Sequence, residues 1–569
     1  MAAAILEATW RHSRLPFYLS NPMNPAILEI QQSIIGNKAE IHTAFGSKPL
    51  IYADYTASGR ALSFIENFIR DQVLPFYANT HTEASHTGAR TTRLREQARQ
   101  IIRGAVNGTE EDQVIFCGSG ATAAINKLTD ILNLRLPGDL SNRYQLLQQI
   151  PRHLRPVVFI GPYEHHSNEL PWRESIADVV KIPSCSQGKI DLDALETELR
   201  KYKERPLRIG SFSAASNVTG IKSEVQKITR ILKRYDALAF WDYAAAAPYV
   251  DININDEDAI DGIFLSPHKF IGGPGAAGVL VVKRGIVCNT VPSTVGGGTV
   301  QYVTPIDHHY VTNIEQREEA GTPDIIGCIR AGLVFKLKQE VGIHEILKRE
   351  RRLITLATDR LSRCPNVEIL GPQEGERIGI FSLRFLHGDK DLHPGFIVAL
   401  LNDLFGIQAR SGCSCAGPYG HYLLDLDLQR SHELQAQIMA GHSILRPGWV
   451  RLNFNYFIDD DEFDYLLKAI ELLAINGWRL LSSYHYDDRD GVWKHNDCAT
   501  KPSGSLNASL LCSSSSSEKP RAQMYDLSEC YEDAHRTLLN ISHATTCPIE
   551  LPEEAERLRW FKLPQEIAT

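Results

Sequence analysis

Ile263-Phe264-Leu265-Ser266-Pro267-His268-Lys269-Phe270-Ile271-Gly272-Gly273-Pro274-Gly275 begins as a short apolar run and breaks at Ser266-Pro267 into a Gly-rich corner. Gly278-Val279-Leu280-Val281-Val282 then resumes a second apolar, β-branched run. This reads as strand, corner, strand, with Lys269 poised over a sheet edge. Working outward, the same alternation of short apolar runs with longer helical patterns extends from about Leu50 to Arg284. Further candidate strands are Val114-Ile115-Phe116-Cys117, Val157-Val158-Phe159-Ile160, Leu207-Arg208-Ile209-Gly210 and Leu238-Ala239-Phe240-Trp241. The pattern predicts an α/β fold with a large, mostly parallel sheet. Every candidate strand but Gly278–Val282 ends in small or polar residues, and open α/β sheets bind ligands outside the carboxyl ends of their strands.

At 569 residues the chain exceeds the roughly 250–300 at which single cores stop growing, so several domains are expected. An N-terminal segment (1–49) precedes the large α/β domain (50–324). A smaller α+β domain (325–476) follows, with a long helix from Ile325, strands near Val367–Leu370 and Ile378–Phe385, and a helix around Gly395–Phe405. The strand Trp449–Tyr456 and a helix containing Glu462–Leu473 complete it. Residues 477–523 read as an extension with a flexible linker, because Lys494–Arg521 is polar and carries the serine run Ser513–Ser517. Residues 524–569 regain helical periodicity and end in Trp560-Phe561-Lys562-Leu563-Pro564, as a docking segment would. The net charge of -8, without a long basic run, lacks the footprint of a nucleic-acid binder. No stretch reaches the ~18 apolar residues of a membrane span, so a soluble chain is expected. Eleven scattered cysteines fit a reducing compartment, and the cytoplasm is the expected location. Met1–Arg14 lacks the plan of a secretory signal, while a mitochondrial address stays open.

Several motifs carry chemistry, each with a plainer reading beside it. A lysine at position 269 suits covalent catalysis, since its amine shifts pKa readily on burial; most lysines, however, are simply exposed. Asp242, at the end of Leu238–Trp241, can hold a proton on a ring nitrogen of a ligand, or can cap a helix. Gly118-Ser119-Gly120-Ala121-Thr122 offers backbone N–H groups and a hydroxyl at a helix start, suited to a phosphate ester, although Gly-Ser-Gly is also an ordinary turn. His165 in Glu164-His165-His166-Ser167-Asn168 can stack on an aromatic cofactor or serve the structure alone. A metal site is not expected, because no ligands of suitable spacing lie nearby. In Arg410-Ser411-Gly412-Cys413-Ser414-Cys415-Ala416-Gly417-Pro418, Cys415 is a nucleophile candidate; a chance Cys-x-Cys, a redox pair and part of a metal site are the alternatives.

In their order along the chain these motifs, with Ser216-Asn217-Val218-Thr219-Gly220, Ala320-Gly321-Thr322-Pro323 and Arg451, resemble the class V aminotransferase family of fold type I pyridoxal-phosphate (PLP) enzymes. Within it they are similar to the cysteine desulfurase and selenocysteine lyase group, over roughly Tyr52 to Leu473. The resemblance implies that Lys269 carries PLP as a Schiff base, that Asp242 partners the pyridine nitrogen and that His165 stacks on the ring. Ala121, Thr122, Ser266 and His268 then fall at the cofactor's phosphate, with Thr322 donated by a neighbouring subunit of a homodimer. Asn217, also expected at the cofactor, and Arg451 would grip the substrate carboxylate, and Cys415 aligns with the desulfurase nucleophile, which turns L-cysteine into L-alanine and a persulfide for a sulfur-acceptor protein. Two departures stand out. Ala245 occupies the place of a glutamine that usually donates to the cofactor's phenolic oxygen, and the loop reads Cys-Ser-Cys where His-His-Cys is usual, a form closer to the desulfurase domain of molybdenum-cofactor sulfurases. Other class V reactions (carbon–sulfur lyase, aminotransferase, epimerase or decarboxylase) share every cofactor residue without needing Cys415 as nucleophile. A catalytically silent PLP-binding scaffold is the alternative from another class.

Overall fold

The computed structural model describes residues 24–80, 82–497, 525–540 and 547–567. Its centre is a seven-stranded sheet made of β1 (Asp112–Cys117), β2 (Val157–Ile160), β3 (Asp178–Lys181), β4 (Arg208–Ser213), β5 (Leu238–Asp242), β6 (Gly262–Leu265) and β7 (Gly278–Lys283). The strand order is β1-β7-β6-β5-β4-β2-β3. All pairs from β6 to β3 are parallel, while β7 runs antiparallel to both β1 and β6. The uninterrupted apolar runs exist because both faces are covered. Alternate residues divide between two cores: Val114, Phe159, Trp241, Ile263 and Val281 face one side, and Ile115, Val158, Phe240, Phe264 and Leu280 the other. Helix α1 (His86–Ala105) and helix α3 (Ile325–Val341) cover the first face; helix α2 (Gly120–Ile131) covers the second through Ala124, Ile125 and Leu128. Fully burying such side chains contributes about 1.5–3 kcal/mol each.

The long helix expected from Ile325 is two helices, α3 and α4 (Ile343–Arg363). Gly342 divides them, with a φ of +84° that ends the first. A second, antiparallel sheet follows, in the order β8 (Val367–Ile369), β9 (Ile380–His387), β12 (Trp449–Asn453), β11 (Arg410–Gly412), with β10 (Lys390–Leu392) also paired to β9. Its core gathers Phe381, Leu383, Val450 and Leu452 with helix α5 (Pro394–Phe405) and helix α7 (Asp460–Asn476), and helix α6 (Leu428–Met439) adds Leu434. Ile51–Tyr52 pairs in parallel with Ile407–Gln408 as a separate two-stranded sheet, and Asn453 N–H donates to the Ala53 carbonyl at 2.9 Å, tying this segment to the second sheet.

Lys494, expected to open a linker, lies instead in a hairpin of β13 (Tyr484–Asp487) and β14 (Val492–His495), where its amine bonds Asp487 and Asp490 and the neighbouring Trp493 is buried. The serine run falls outside the described residues. Helices α8 (Leu527–Leu539) and α9 (Glu553–Leu558) add Ala534, Leu538, Ala555 and Leu558, with Phe561 and Leu563, to the second core. Among the described residues no helix is long and apolar enough to cross a membrane.

Candidate active site

The carboxyl ends of β2, β4, β5 and β6, with the start of α2 after β1, converge on one cavity of about 250 Å³. Lys269, Asp242, His165, Ala121, Thr122, Ser266, His268, Asn217, Cys415 and Arg451 all line it. Thr322 does not: it is exposed, away from the cavity, where Asn79 donates to its hydroxyl at 3.1 Å.

The corner after β6 is fixed from outside. Gly59 donates to the His268 carbonyl at 2.8 Å, and Gly272 to the Arg60 carbonyl at 2.7 Å. Burial pushes the Lys269 amine down to about 8, against the pull of the Asp242 carboxylate. Asp242 accepts from the Ala244 N–H at 2.8 Å, and burial raises its pKa while that bond and Lys269 oppose. Gly120 opens α2 with φ +56°, and a Cβ there would sit 2.6 Å from His268 Cε1 and 2.7 Å from Ser266 Oγ. Only glycine allows this approach, which brings Ala121 N–H within 2.9 Å of Ser266 Oγ. The Thr122 and Ser167 hydroxyls lie 2.6 Å apart, and Ser167 also meets His165 Nδ1 through its N–H (3.1 Å) and its hydroxyl (3.0 Å). Burial, with Lys269 nearby, pushes His165 down to about 3, so the imidazole is neutral.

Two groups that sequence reasoning missed hold this arrangement. Glu164 is buried and accepts from the N–H groups of Gly161 and Ser213, the Ser213 hydroxyl and the Asn168 amide at 2.6–3.1 Å, which joins the His165 turn to the end of β4. Asp54 accepts from Arg451 Nη2 at 3.1 Å and from Arg410 Nε at 2.9 Å. The sole hint of Asp54 in the sequence is its place beside Tyr52, where the family resemblance begins. Arg451 also donates to the Asn217 carbonyl at 3.3 Å, leaving its Nε buried and unpartnered, as are Asn217 Oδ1 and Ser414 Oγ. Cys415 is exposed at the cavity wall, whereas Cys413 lines a separate, largely apolar groove with Leu424, Leu428 and Ile438.

The family model Aminotransferase class-V matches residues 51–427, about two thirds of the chain. The chain belongs to the class V aminotransferase family. As a member it is a PLP-dependent enzyme. Among curated proteins it is similar to a probable cysteine desulfurase of Halalkalibacterium halodurans, 28% identical over 379 residues that cover 66% of this chain and 86% of the relative. A probable cysteine desulfurase of Staphylococcus aureus is 26% identical over 380 residues, covering 66% and 85%. Among solved structures the fold is similar to the cysteine desulfurase from Thermococcus onnurineus (TM-score 0.64, 24% identity, 80% of this chain and 100% of that one). It is also similar to the cysteine desulfurase CsdA from Escherichia coli (TM-score 0.58, 21% identity, 74% and 94%). The fold type I expectation is thereby met.

The residues of this class V member fit its cofactor. An amine of depressed pKa, a buried carboxylate and a neutral imidazole share one cavity with the glycine-opened N-terminus of α2, and four buried polar atoms of its lining, Thr56 Oγ1, Asn217 Oδ1, Ser414 Oγ and Arg451 Nε, have no protein partner. Ala245 lines the same wall, and its methyl side chain cannot donate to a phenolic oxygen.

Proposed function

We propose that this chain takes sulfur from L-cysteine, releasing L-alanine and leaving a persulfide on Cys415. The observation that carries the reading is that Cys415 shares its cavity with Lys269, Asp242 and Arg451, so a nucleophilic sulfur, a base, a ring-nitrogen partner and a carboxylate grip face one small volume. The desulfurase names of the relatives support it. PLP, when bound, supplies the electron sink for charge developing at the amino acid's α-carbon. Ala121, Thr122, Ser266 and His268 would hold its phosphate at the start of α2, His165 would pack on its ring, and Asp242 would keep the proton on the ring nitrogen. Lys269 would hold PLP through its amine and would move the substrate's α-proton. Arg451, whose Nε has no protein partner, binds the substrate carboxylate with the Asn217 side chain. The Cys415 thiolate attacks the substrate sulfur; the carbon–sulfur bond breaks, the new S–S bond forms, and the carbon takes a proton. L-Cysteine plus thiol thus gives L-alanine plus persulfide, in balance. A thiol-bearing acceptor protein then removes the sulfur.

The active species is a homodimer in which Thr322 of each chain completes the other chain's phosphate site. Thr322 stands outside its own cavity, on a segment tied by Gly321 N–H to the Gly297 carbonyl (2.8 Å). Beside that segment the hairpin Val300–Tyr310 presents Tyr302, Val303 and Ile306 to solvent. A reducing compartment such as the cytoplasm suits a free nucleophilic thiol.

The test is Cys415→Ser, which keeps size and polarity but replaces the thiol with a hydroxyl that cannot hold a persulfide. Alanine and sulfide formation from L-cysteine under reducing conditions should collapse while the cofactor's visible absorbance persists. Wild-type turnover in Cys415→Ser, or no desulfuration by the unmutated enzyme, sinks the desulfurase reading and leaves another class V reaction in its place.

A further inference from the structure

The loop that carries Cys415 is bent against its own preference. Ser414 and Cys415 both have left-handed backbones (φ +53° and +55°), and Ala416 N–H closes the turn on the Cys413 carbonyl at 3.1 Å. Consecutive residues with a Cβ persist in that region only where surrounding contacts over-determine them. Three contacts do so. Asn217 Nδ2 donates to the Ser414 carbonyl at 2.7 Å, His166 N–H to the Cys415 carbonyl at 2.8 Å, and Gly417 N–H to His166 Nε2 at 3.0 Å. His166 therefore grips the nucleophile from both sides, through its backbone ahead of the Cys415–Ala416 peptide and through its ring behind Ala416. A ring nitrogen that accepts is unprotonated, so His166 carries its proton on Nδ1. The preceding residue, His165, lines the cofactor cavity, so one short turn after β2 indexes both the cavity wall and the sulfur that reacts inside it.

We propose that His166 is a positioning residue that sets the reach of Cys415 into the cavity, by accepting from Gly417 while its backbone holds the Cys415 carbonyl. This rests on the desulfurase reading above. Misplacing a reacting atom by about 1 Å costs on the order of 100-fold in rate, so the effect of losing the ring contact should fall on the sulfur-transfer step.

The experiment uses the PLP-loaded enzyme and follows, after a single addition of L-cysteine, the persulfide on Cys415 by mass spectrometry. His166→Ala should slow persulfide formation roughly 10- to 100-fold, lowering kcat with little change in KM. The cofactor's visible absorbance, and its response to L-cysteine binding, should stay as in wild type. His166→Gln, whose side-chain carbonyl can take the place of Nε2 as acceptor, should recover most of the rate. Hydrogen exchange at the Gly417 amide, measured without substrate, should quicken in His166→Ala and slow again in His166→Gln. Unchanged persulfide formation in His166→Ala overturns the proposal. So does a loss in His166→Ala that comes with loss of PLP and is not restored by glutamine, because that is the mark of a merely structural histidine. Failure of the wild type to form any persulfide removes the desulfurase reading and this role together, an outcome distinct from wild-type persulfide with an unaffected variant.

Discussion

Lys269 and Asp54 divide the demands on single residues between chemistry and placement. The Lys269 amine is held near 8 by burial, so at pH 6 it is mainly charged and at pH 9 mainly neutral, and only the neutral amine can attack an aldehyde. Recapture of PLP by the cofactor-free enzyme, followed by visible absorbance, should quicken as pH rises through about 8 and level off above it. A rate flat between pH 6 and 9 would contradict that placement. Lys269→Ala should abolish turnover and leave PLP to be washed out on gel filtration. Asp54 does no chemistry in this scheme: it holds Arg451 and Arg410 through its two oxygens, and Arg451 is almost wholly buried. Removing one partner of a buried ion pair typically costs 3–5 kcal/mol, and Arg410 is half exposed, so about 3 kcal/mol is the expected loss in Asp54→Asn. Urea unfolding should show it, together with a raised KM for L-cysteine as Arg451 loses its orientation. Wild-type stability and KM would mean that Asp54 neither supports nor aims Arg451.

At the scale of elements, His393 shows how the C-terminal segment is fastened. Its Nδ1 accepts from Trp493 Nε1 at 2.9 Å and from Gly395 N–H at 3.0 Å, which leaves Nε2 to donate to the Ile444 carbonyl at 3.2 Å. Trp560 stacks on the ring, with 5.7 Å between centroids. Burial pushes the imidazole from 6.5 down to about 4, so the fold favours the neutral form. The resulting stabilisation is complete above about 6.5 and is lost as pH falls from there through about 4, to a total of about 3 kcal/mol. Tryptophan emission should report loosening of β14 and the Trp560 segment over that window. In His393→Leu the acid-dependent step should vanish, and its persistence would assign the transition to another group. This fastening was not legible in the sequence, and the reason is instructive. The central strands of the large sheet are buried on both faces and announce themselves as apolar runs. Asp178-Val179-Val180-Lys181 is a short edge strand with charged ends, and β13–β14 buries little beyond Tyr484 and Trp493 among histidines, lysine and aspartate. The expected residues that line the cavity were readable because most stand at a strand end or a few positions beyond one. Asp54 was not, because its partners stand 356 and 397 residues away and meet it through the pairing of Ile51–Tyr52 with Ile407–Gln408 and the bond from Asn453 N–H to the Ala53 carbonyl.

For the whole molecule the deciding question is whether one chain contains a complete site. Ten of the eleven residues expected there line the cavity, and Thr322 alone stands apart. Beside the Thr322 segment the hairpin Val300–Tyr310 leaves Ile306 96% and Tyr302 67% exposed, which a chain acting alone gains nothing from. Covering both in a twofold assembly contributes roughly 1.5–3 kcal/mol per side chain, twice over by symmetry. The double variant Tyr302→Ser, Ile306→Ser should therefore fold normally, since both side chains are mostly exposed within their own chain, yet run as a monomer in light scattering at concentrations where the wild type should run as the proposed dimer. The monomer should also lose PLP on gel filtration, because its phosphate site lacks the second chain's hydroxyl. Thr322→Val separates the two effects: it should stay dimeric and weaken PLP retention only by the one charge-assisted hydrogen bond, about 1.5–3 kcal/mol or roughly 10- to 150-fold in affinity. A wild-type chain that is monomeric while fully active and fully loaded would refute the shared site. A dimeric Thr322→Val with unchanged PLP affinity would keep the assembly and remove Thr322 from the phosphate.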